Sequence, residues 1–180
     1  MSSAETQLLQ LLKDRSFQRG TFRLASGGTS DYYIDARTSA VYSEAAPLIG
    51  EVLYERTRDL NIGAVGGLAV GAVPLTTATV ISYHQHGRKL EGFWVRDEVK
   101  DHGTRKLIEG NLKRGARVAI VDDVFTKGSS ALKAIKAVKE LQCEVVVVLA
   151  LVDRLQGGKE KLAAEGVTLH AVFTRSDFAP

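Results

Sequence analysis

Arg117-Val118-Ala119-Ile120-Val121-Asp122-Asp123-Val124-Phe125-Thr126-Lys127-Gly128-Ser129-Ser130 is the stretch from which the fold can be read. Four apolar residues, Val118 to Val121, run straight into two adjacent carboxylates. A short polar loop follows, and Ala131 to Val138 then takes up helical spacing. An unbroken apolar run suits a strand buried on both faces, and such strands belong to parallel sheets covered by helices. The two acids therefore stand at the carboxyl end of a central strand with a helix N-terminus just beyond. In open α/β sheets that crevice is where ligands bind.

The parts of the stretch have a chemistry. Backbone N–H groups around Lys127 to Ser130 have no intrahelical acceptor, and the helix dipole makes that end mildly positive, so the loop suits a phosphate. Ser129 and Ser130 add hydroxyl donors, and Gly128 permits close approach of the backbone. Asp122 and Asp123 repel a phosphate; they suit sugar hydroxyls or a hard divalent cation. Acids for a sugar beside amides for its phosphate describe a ribose-phosphate site. A Walker B strand also ends in acids, but the chain has no Gly-x-x-x-x-Gly-Lys-Ser/Thr loop. A receiver domain places its acids near the start of the domain, whereas here less than a third of the chain follows Asp123. An isolated Asp-Asp more often caps a loop; the strand–acid–loop–helix context favours function.

Val121 to Ser130 resembles the phosphoribosyl-pyrophosphate signature of type I phosphoribosyltransferases. Leu24-Ala25-Ser26-Gly27 through Tyr32-Tyr33, and Val95-Arg96-Asp97-Glu98-Val99-Lys100-Asp101-His102-Gly103, resemble one branch, the orotate phosphoribosyltransferases. The resemblance extends from about Thr21 to Arg154. It implies transfer of ribose 5-phosphate from phosphoribosyl pyrophosphate to orotate, giving orotidine 5'-phosphate and pyrophosphate in pyrimidine biosynthesis. Mg2+ is the implied cofactor, carried mainly by the substrate close to Asp122 and Asp123, with no separate metal site of the protein. Asp122, Asp123, Lys100 and His102 are the implied catalytic group. Phosphoribosyl pyrophosphate is assigned to Arg96, Lys100, His102, Asp122, Asp123, Val124, Phe125, Thr126, Lys127, Gly128, Ser129 and Ser130. Orotate is assigned to Thr126, Arg154 and Tyr33. The family further implies a homodimer whose lid cations reach the neighbouring subunit's site.

The chain departs from the pattern at four positions. Several family members carry lysine where this chain has Ala25, Val70 and Asp97, and a small residue where it has Lys127. Fewer cations around a polyanion predict weaker substrate binding, which Lys127 can offset or worsen. Two further readings are weighed: a regulator with this fold that senses phosphoribosyl pyrophosphate without catalysis, and a purine phosphoribosyltransferase. The near balance of 24 cations against 21 acids gives no nucleic-acid coat, and a purine enzyme has no use for a carboxylate partner at Arg154.

At 180 residues and 44% hydrophobic content the chain predicts one α/β domain with a mainly parallel sheet flanked by helices. A hood of helix and hairpin is expected over 1–40, a core over 41–180, and a mobile lid over about 96–115, where charges and glycines replace apolar periodicity. No run approaches a membrane span, the N-terminus lacks an apolar leader, and one cysteine excludes an internal disulfide, so a cytoplasmic protein is expected.

In chain order, Ser2 and Glu5 form a capping box for a helix ending near Asp14. Thr21–Ser26 and Ser30–Asp35 read as strands around Gly27-Gly28-Thr29, with Tyr32 and Tyr33 on opposite faces. One tyrosine packs in the core and the other is free to stack on a planar ligand, or both are ordinary packing aromatics. A helix starts near Ser43 to Pro47, a strand covers Ile62–Val65, and Gly66 to Pro74 is a second candidate anion loop. His84 and His86 are two residues apart and share no helix face, so they read as helix-end residues and not as metal ligands.

Overall fold

The structure, a computed structural model, describes residues 1–23, 28–98 and 106–178. Helix α1 (Ser3–Arg15) is capped as the sequence predicts: Ser2 Oγ accepts from the Glu5 amide at 3.1 Å, and Glu5 Oε2 accepts from the Ser2 amide at 2.8 Å. Strands β1 (Phe17–Arg23) and β2 (Thr29–Ile34) pair antiparallel in a small sheet of their own. The first begins at Phe17 rather than Thr21, because Phe17 stacks on Tyr32 of β2 with ring centroids 5.9 Å apart. A short helical turn, α2 (Arg37–Ala40), precedes α3 (Ala45–Thr57).

The remainder alternates: β3 (Ala64–Leu68), α4 (Ala72–Gln85), β4 (Glu91–Val95), β5 (Ile108–Gly110), β6 (Arg117–Phe125), α5 (Ser129–Glu140), β7 (Glu144–Asp153), α6 (Gly158–Ala164) and β8 (Leu169–Thr174). These strands form one sheet in the order β5-β4-β3-β6-β7-β8, parallel except for β5. The chain runs from β3 outward to β4 and β5, then returns to β6 on the other side of β3 and continues outward to β8. Right-handed crossovers then place the helices on opposite faces of the sheet. The reversal leaves a crevice between the carboxyl ends of β3 and β6, where an α/β sheet takes its ligand.

Each face has its own apolar core, and β6 feeds both. Ala119 and Val121 meet Leu8, Leu12, Ile49, Leu53 and Leu75 from α1, α3 and α4. Val118 and Ile120 meet Ala134, Ile135, Val138 and Leu162 from α5 and α6. All four strand residues are at most 1% exposed, so no position on this strand tolerates a polar side chain before Asp122. A fully buried Leu or Ile contributes about 1.5–3 kcal/mol, and these two layers supply most of what holds the sheet.

Two expectations are corrected. Gly66 and Gly67 lie inside β3, not in a loop. A Cβ on Gly66 would come within 2.7 Å of the Phe93 ring, and one on Gly67 within 2.7 Å of Ala72 Cβ, with the Val121 carbonyl closer still. Both glycines let the central strands and α4 approach, so packing, and not anion binding, uses them. The segment after Arg96 is not structureless throughout, since Ile108–Gly110 adds an antiparallel edge strand to β4.

Candidate active site

Asp122 and Asp123 are the last acids of β6 before the loop, and alternation sends them to opposite faces of the sheet. Asp122 is only 8% exposed. Burial, then the charge of Asp123, pushes its carboxyl up to about 7, against the opposing pull of the Asp123 backbone N–H. Burial also raises Asp123, opposed by the Val124 backbone N–H and by the Arg37 guanidinium. Arg37 is itself held above its ordinary value by Asp35, which takes its Nε and Nη2 at 2.8 Å each. Two desolvated carboxylates beside open crevice space are poised to accept hydrogen bonds from hydroxyl groups or to meet a cation.

Gly71, just before α4, is what leaves room for Asp123. A Cβ there would lie 2.6 Å from Asp123 Cγ and 2.9 Å from Oδ2. The second candidate loop thus shrinks to Ala69-Val70-Gly71, whose Ala69–Val70 peptide bond is cis and whose Val70 side chain is exposed. Its backbone is tied to β4 by the Ala69 amide donating to the Val95 carbonyl at 2.7 Å.

Beyond β6 the chain turns through Thr126 and Lys127 to Gly128, whose φ of +78° is the left-handed conformation that favours glycine. No side chain caps α5, so its first-turn amides stay available, with the Ser129 and Ser130 hydroxyls beside them. Phe125 is fully buried; its ring lies under Gly128 and against Gly158 of α6. Its side chain therefore shapes the loop from below, and Val124 packs against the core in the same way. Lys127 is exposed at the loop's outer edge.

Arg154 follows β7, the strand next to β6, and its amide donates to the Phe125 carbonyl at 2.9 Å. It therefore emerges on the same rim as the acids. It is 6% exposed, yet among the described residues no carboxylate pairs with it. Instead Nε donates to Tyr32 Oη and Nη2 to Ser30 Oγ, each at 3.2 Å. A buried cation with an open fork is a receptor for an anionic, planar group. Tyr33, on the other face of β2, is partly exposed and rests on Phe22 at 5.5 Å, so it is Tyr32 that touches Arg154.

At the other edge, Arg96 donates from Nε and Nη2 to Glu109 Oε1 at 2.8 and 2.6 Å, and Asp97 pairs with Lys133 of α5. The acid at position 97 is therefore matched by a cation. Lys100 and His102 lie outside the described residues, as does Ala25. Sequence reasoning gave no role to Arg37, Ser30 or Glu109, put Gly71 in a candidate anion loop, and left open which of Tyr32 and Tyr33 meets a ligand. Only the Ser30/Tyr32 pair had a usable signal, since residues i and i+2 of a strand share a face.

A six-stranded sheet with its reversal at β3/β6, paired acids at the strand end and an uncapped Gly-Ser-Ser helix start define a phosphoribosyltransferase. The chain is 42% identical over 182 residues to the orotate phosphoribosyltransferase of Sorangium cellulosum, covering 99% of this chain and 95% of that one. The chain belongs to the orotate phosphoribosyltransferase family. The crystal structure of the Mycobacterium tuberculosis orotate phosphoribosyltransferase in complex with Fe(III) dicitrate matches with a TM-score of 0.87 at 38% identity, over 98% of this chain and 99% of that one. The same organism's enzyme in complex with 5-phospho-alpha-D-ribosyl 1-diphosphate matches with a TM-score of 0.81 at 32% identity, over 99% of this chain and 93% of that one. No protein-family model matches the sequence.

Proposed function

We propose that the chain transfers ribose 5-phosphate from phosphoribosyl pyrophosphate to a ring nitrogen of orotate, releasing pyrophosphate. The observation that carries this reading is the buried, carboxylate-free Arg154 on the same rim as Asp122, Asp123 and the α5 N-terminus. In the reaction a sugar carbon turns cationic while an anionic group departs, so positioning and electrostatics do most of the work. The amides and hydroxyls of Thr126 to Ser130 seat the 5-phosphate. Asp122 and Asp123 hold the ribose hydroxyls and face the developing positive charge. Arg154 takes the carboxylate of orotate, with Thr126 and Tyr33 assigned to the same ligand. Arg96 exchanges Glu109 for the pyrophosphate; Lys100 and His102 join it on the strength of the family resemblance alone.

Among the described residues no group of three or more His, Cys, Asp or Glu is gathered for a metal. Two carboxylates with phosphate nearby suit Mg2+, which favours one or two protein carboxylates plus substrate phosphates and water. When bound, Mg2+ neutralises charge on the pyrophosphate.

We assign a homodimer to the active form and the cytoplasm as its location. An apolar groove between α3 and α4, lined by Ala46, Pro47, Pro74, Ala78 and Ile81, supports a second copy as its occupant. Val41 and Val70 are exposed apolar side chains as well, and Val70 adjoins Gly71 in the chain. No described helix is long and apolar enough to cross a membrane. Loss of orotate absorbance in the presence of phosphoribosyl pyrophosphate and Mg2+, with uracil, hypoxanthine and adenine as competitors, tests the reading. Turnover of a purine but not of orotate overturns it. Mixing inactive Arg96→Ala and Asp123→Asn subunits tests shared sites, and the expected outcome is partial recovery of activity.

A further inference from the structure

Arg154 has two edges on which a carboxylate can dock. The side-on edge is Nε with Nη2, and the end-on edge is Nη1 with Nη2. Arg37 shows what an acid does on the side-on edge: both Asp35 oxygens sit there at 2.8 Å, and the charge is spent within the protein. On Arg154 the same edge is filled by two neutral hydroxyl oxygens, Tyr32 Oη on Nε and Ser30 Oγ on Nη2. Two oxygens of one strand face thus stand where the two oxygens of a carboxylate would.

The hydrogen-bond polarity around Ser30 is consistent with that role. Its hydroxyl donates to the Tyr32 carbonyl at 2.7 Å, so its lone pairs remain to accept from Arg154. The Tyr32 ring is fixed as well, stacked on Phe17 at 5.9 Å and lying 4.6 Å from the Arg154 guanidinium carbon. Neither hydroxyl neutralises the cation, and of the three N–H groups that remain of its five, two face the end-on edge.

Resting on the orotate reading above, we infer that Ser30 and Tyr32 are positioning residues that occupy the side-on edge of Arg154, so that the orotate carboxylate is received end-on by Nη1 and Nη2. The small β1–β2 sheet is then part of the specificity apparatus. It holds the arginine in one orientation at full charge, which favours a carboxylated pyrimidine over an uncarboxylated one.

The test measures initial rates on the full-length chain, varying orotate at saturating phosphoribosyl pyrophosphate and the reverse. Ser30→Ala and Tyr32→Phe are each expected to raise KM for orotate about 10-fold, the lower end of the scale of one hydrogen bond to a charged group. KM for phosphoribosyl pyrophosphate stays within about twofold, because the phosphate and ribose contacts lie on other elements. Ser30→Thr, which restores the hydroxyl, keeps the wild-type KM. Ser30→Asp places a competing carboxylate on the arginine and is expected to cost about 10²-fold in kcat/KM for orotate. Wild-type KM for orotate in both Ser30→Ala and Tyr32→Phe, or an equal rise for both substrates, overturns the inference. If Tyr32→Phe does not fold, the Ser30 series decides alone. A wild-type chain inactive on orotate overturns the functional reading and this inference with it, whereas active wild type with unmoved variants overturns only this inference.

Discussion

Gly71→Ala is expected to separate activity from stability. Gly71 has φ −57° and ψ −39°, a right-handed helical conformation that alanine adopts freely. Replacing glycine where the backbone already suits alanine adds about 0.4–1 kcal/mol of stability through the unfolded chain. The cost lies elsewhere: the new Cβ would stand 2.6 Å from Asp123 Cγ, and ordinary contact begins at 3.4 Å. Its nearer oxygen, Oδ1, is closer still, so the carboxylate must retreat by about 1 Å, and a misplacement of that size costs about 10²-fold in rate. That is about 2.7 kcal/mol of barrier. The measurements are kcat/KM from orotate absorbance and a thermal melt on the same preparation. The expected pair of results is a drop of about 10²-fold with the melting midpoint unchanged or slightly raised. Full activity refutes the seating of Asp123 against Gly71 as a functional contact. Loss of activity together with a collapsed melting midpoint refutes the separation, making Gly71 a packing residue only.

Three other perturbations follow from the same geometry. Gly66→Ala drives a Cβ into the Phe93 ring and backbone inside the sheet, and overpacking of this kind is expected to cost about 3 kcal/mol in denaturant unfolding. Asp122 has its folded pKa raised from 3.8 to about 7, so between those values the folded state binds the proton that the unfolded chain has released. Stability therefore falls as pH rises from about 4 to about 7 and levels off above it. Glu5, Asp35 and Glu51 are shifted down, so their stabilising contributions are lost below that window. Urea midpoints across pH 5–8 for wild type and Asp122→Asn check this, and an unchanged slope in the variant counts against it. Glu109→Gln releases Arg96 from its ion pair and is expected to lower KM for phosphoribosyl pyrophosphate about two- to fivefold, the scale of a partly exposed pair; an unchanged KM removes Glu109 as a competitor.

Much of the fold was legible because hydrophobic runs and turn residues agreed locally. Val118–Val121 read as a two-sided strand, and the Ser2/Glu5 box marked the start of the first helix. The short strand β5 was missed because Ile108-Glu109-Gly110 carries no alternation of its own; it exists only by pairing with β4. Gly66 and Gly67 misled for a related reason. Glycine marks both loops and close approaches of backbone, and only the neighbouring strands reveal which.

Of the candidate site, the acid pair and the uncapped helix start were written in contiguous residues, so sequence alone determined them, together with the α/β class and the central strand. What sequence could not determine was who meets whom across long separations: Arg154 with Ser30 and Tyr32, Asp123 with Gly71, Arg96 with Glu109. Those pairings depend on strand order, which brings the end of β7 beside the end of β6 and lays a separate two-stranded sheet over it. Local propensity sets a residue's conformation, but the reversal of the chain at β3 and β6 sets its company, and that is a property of the folded sheet alone.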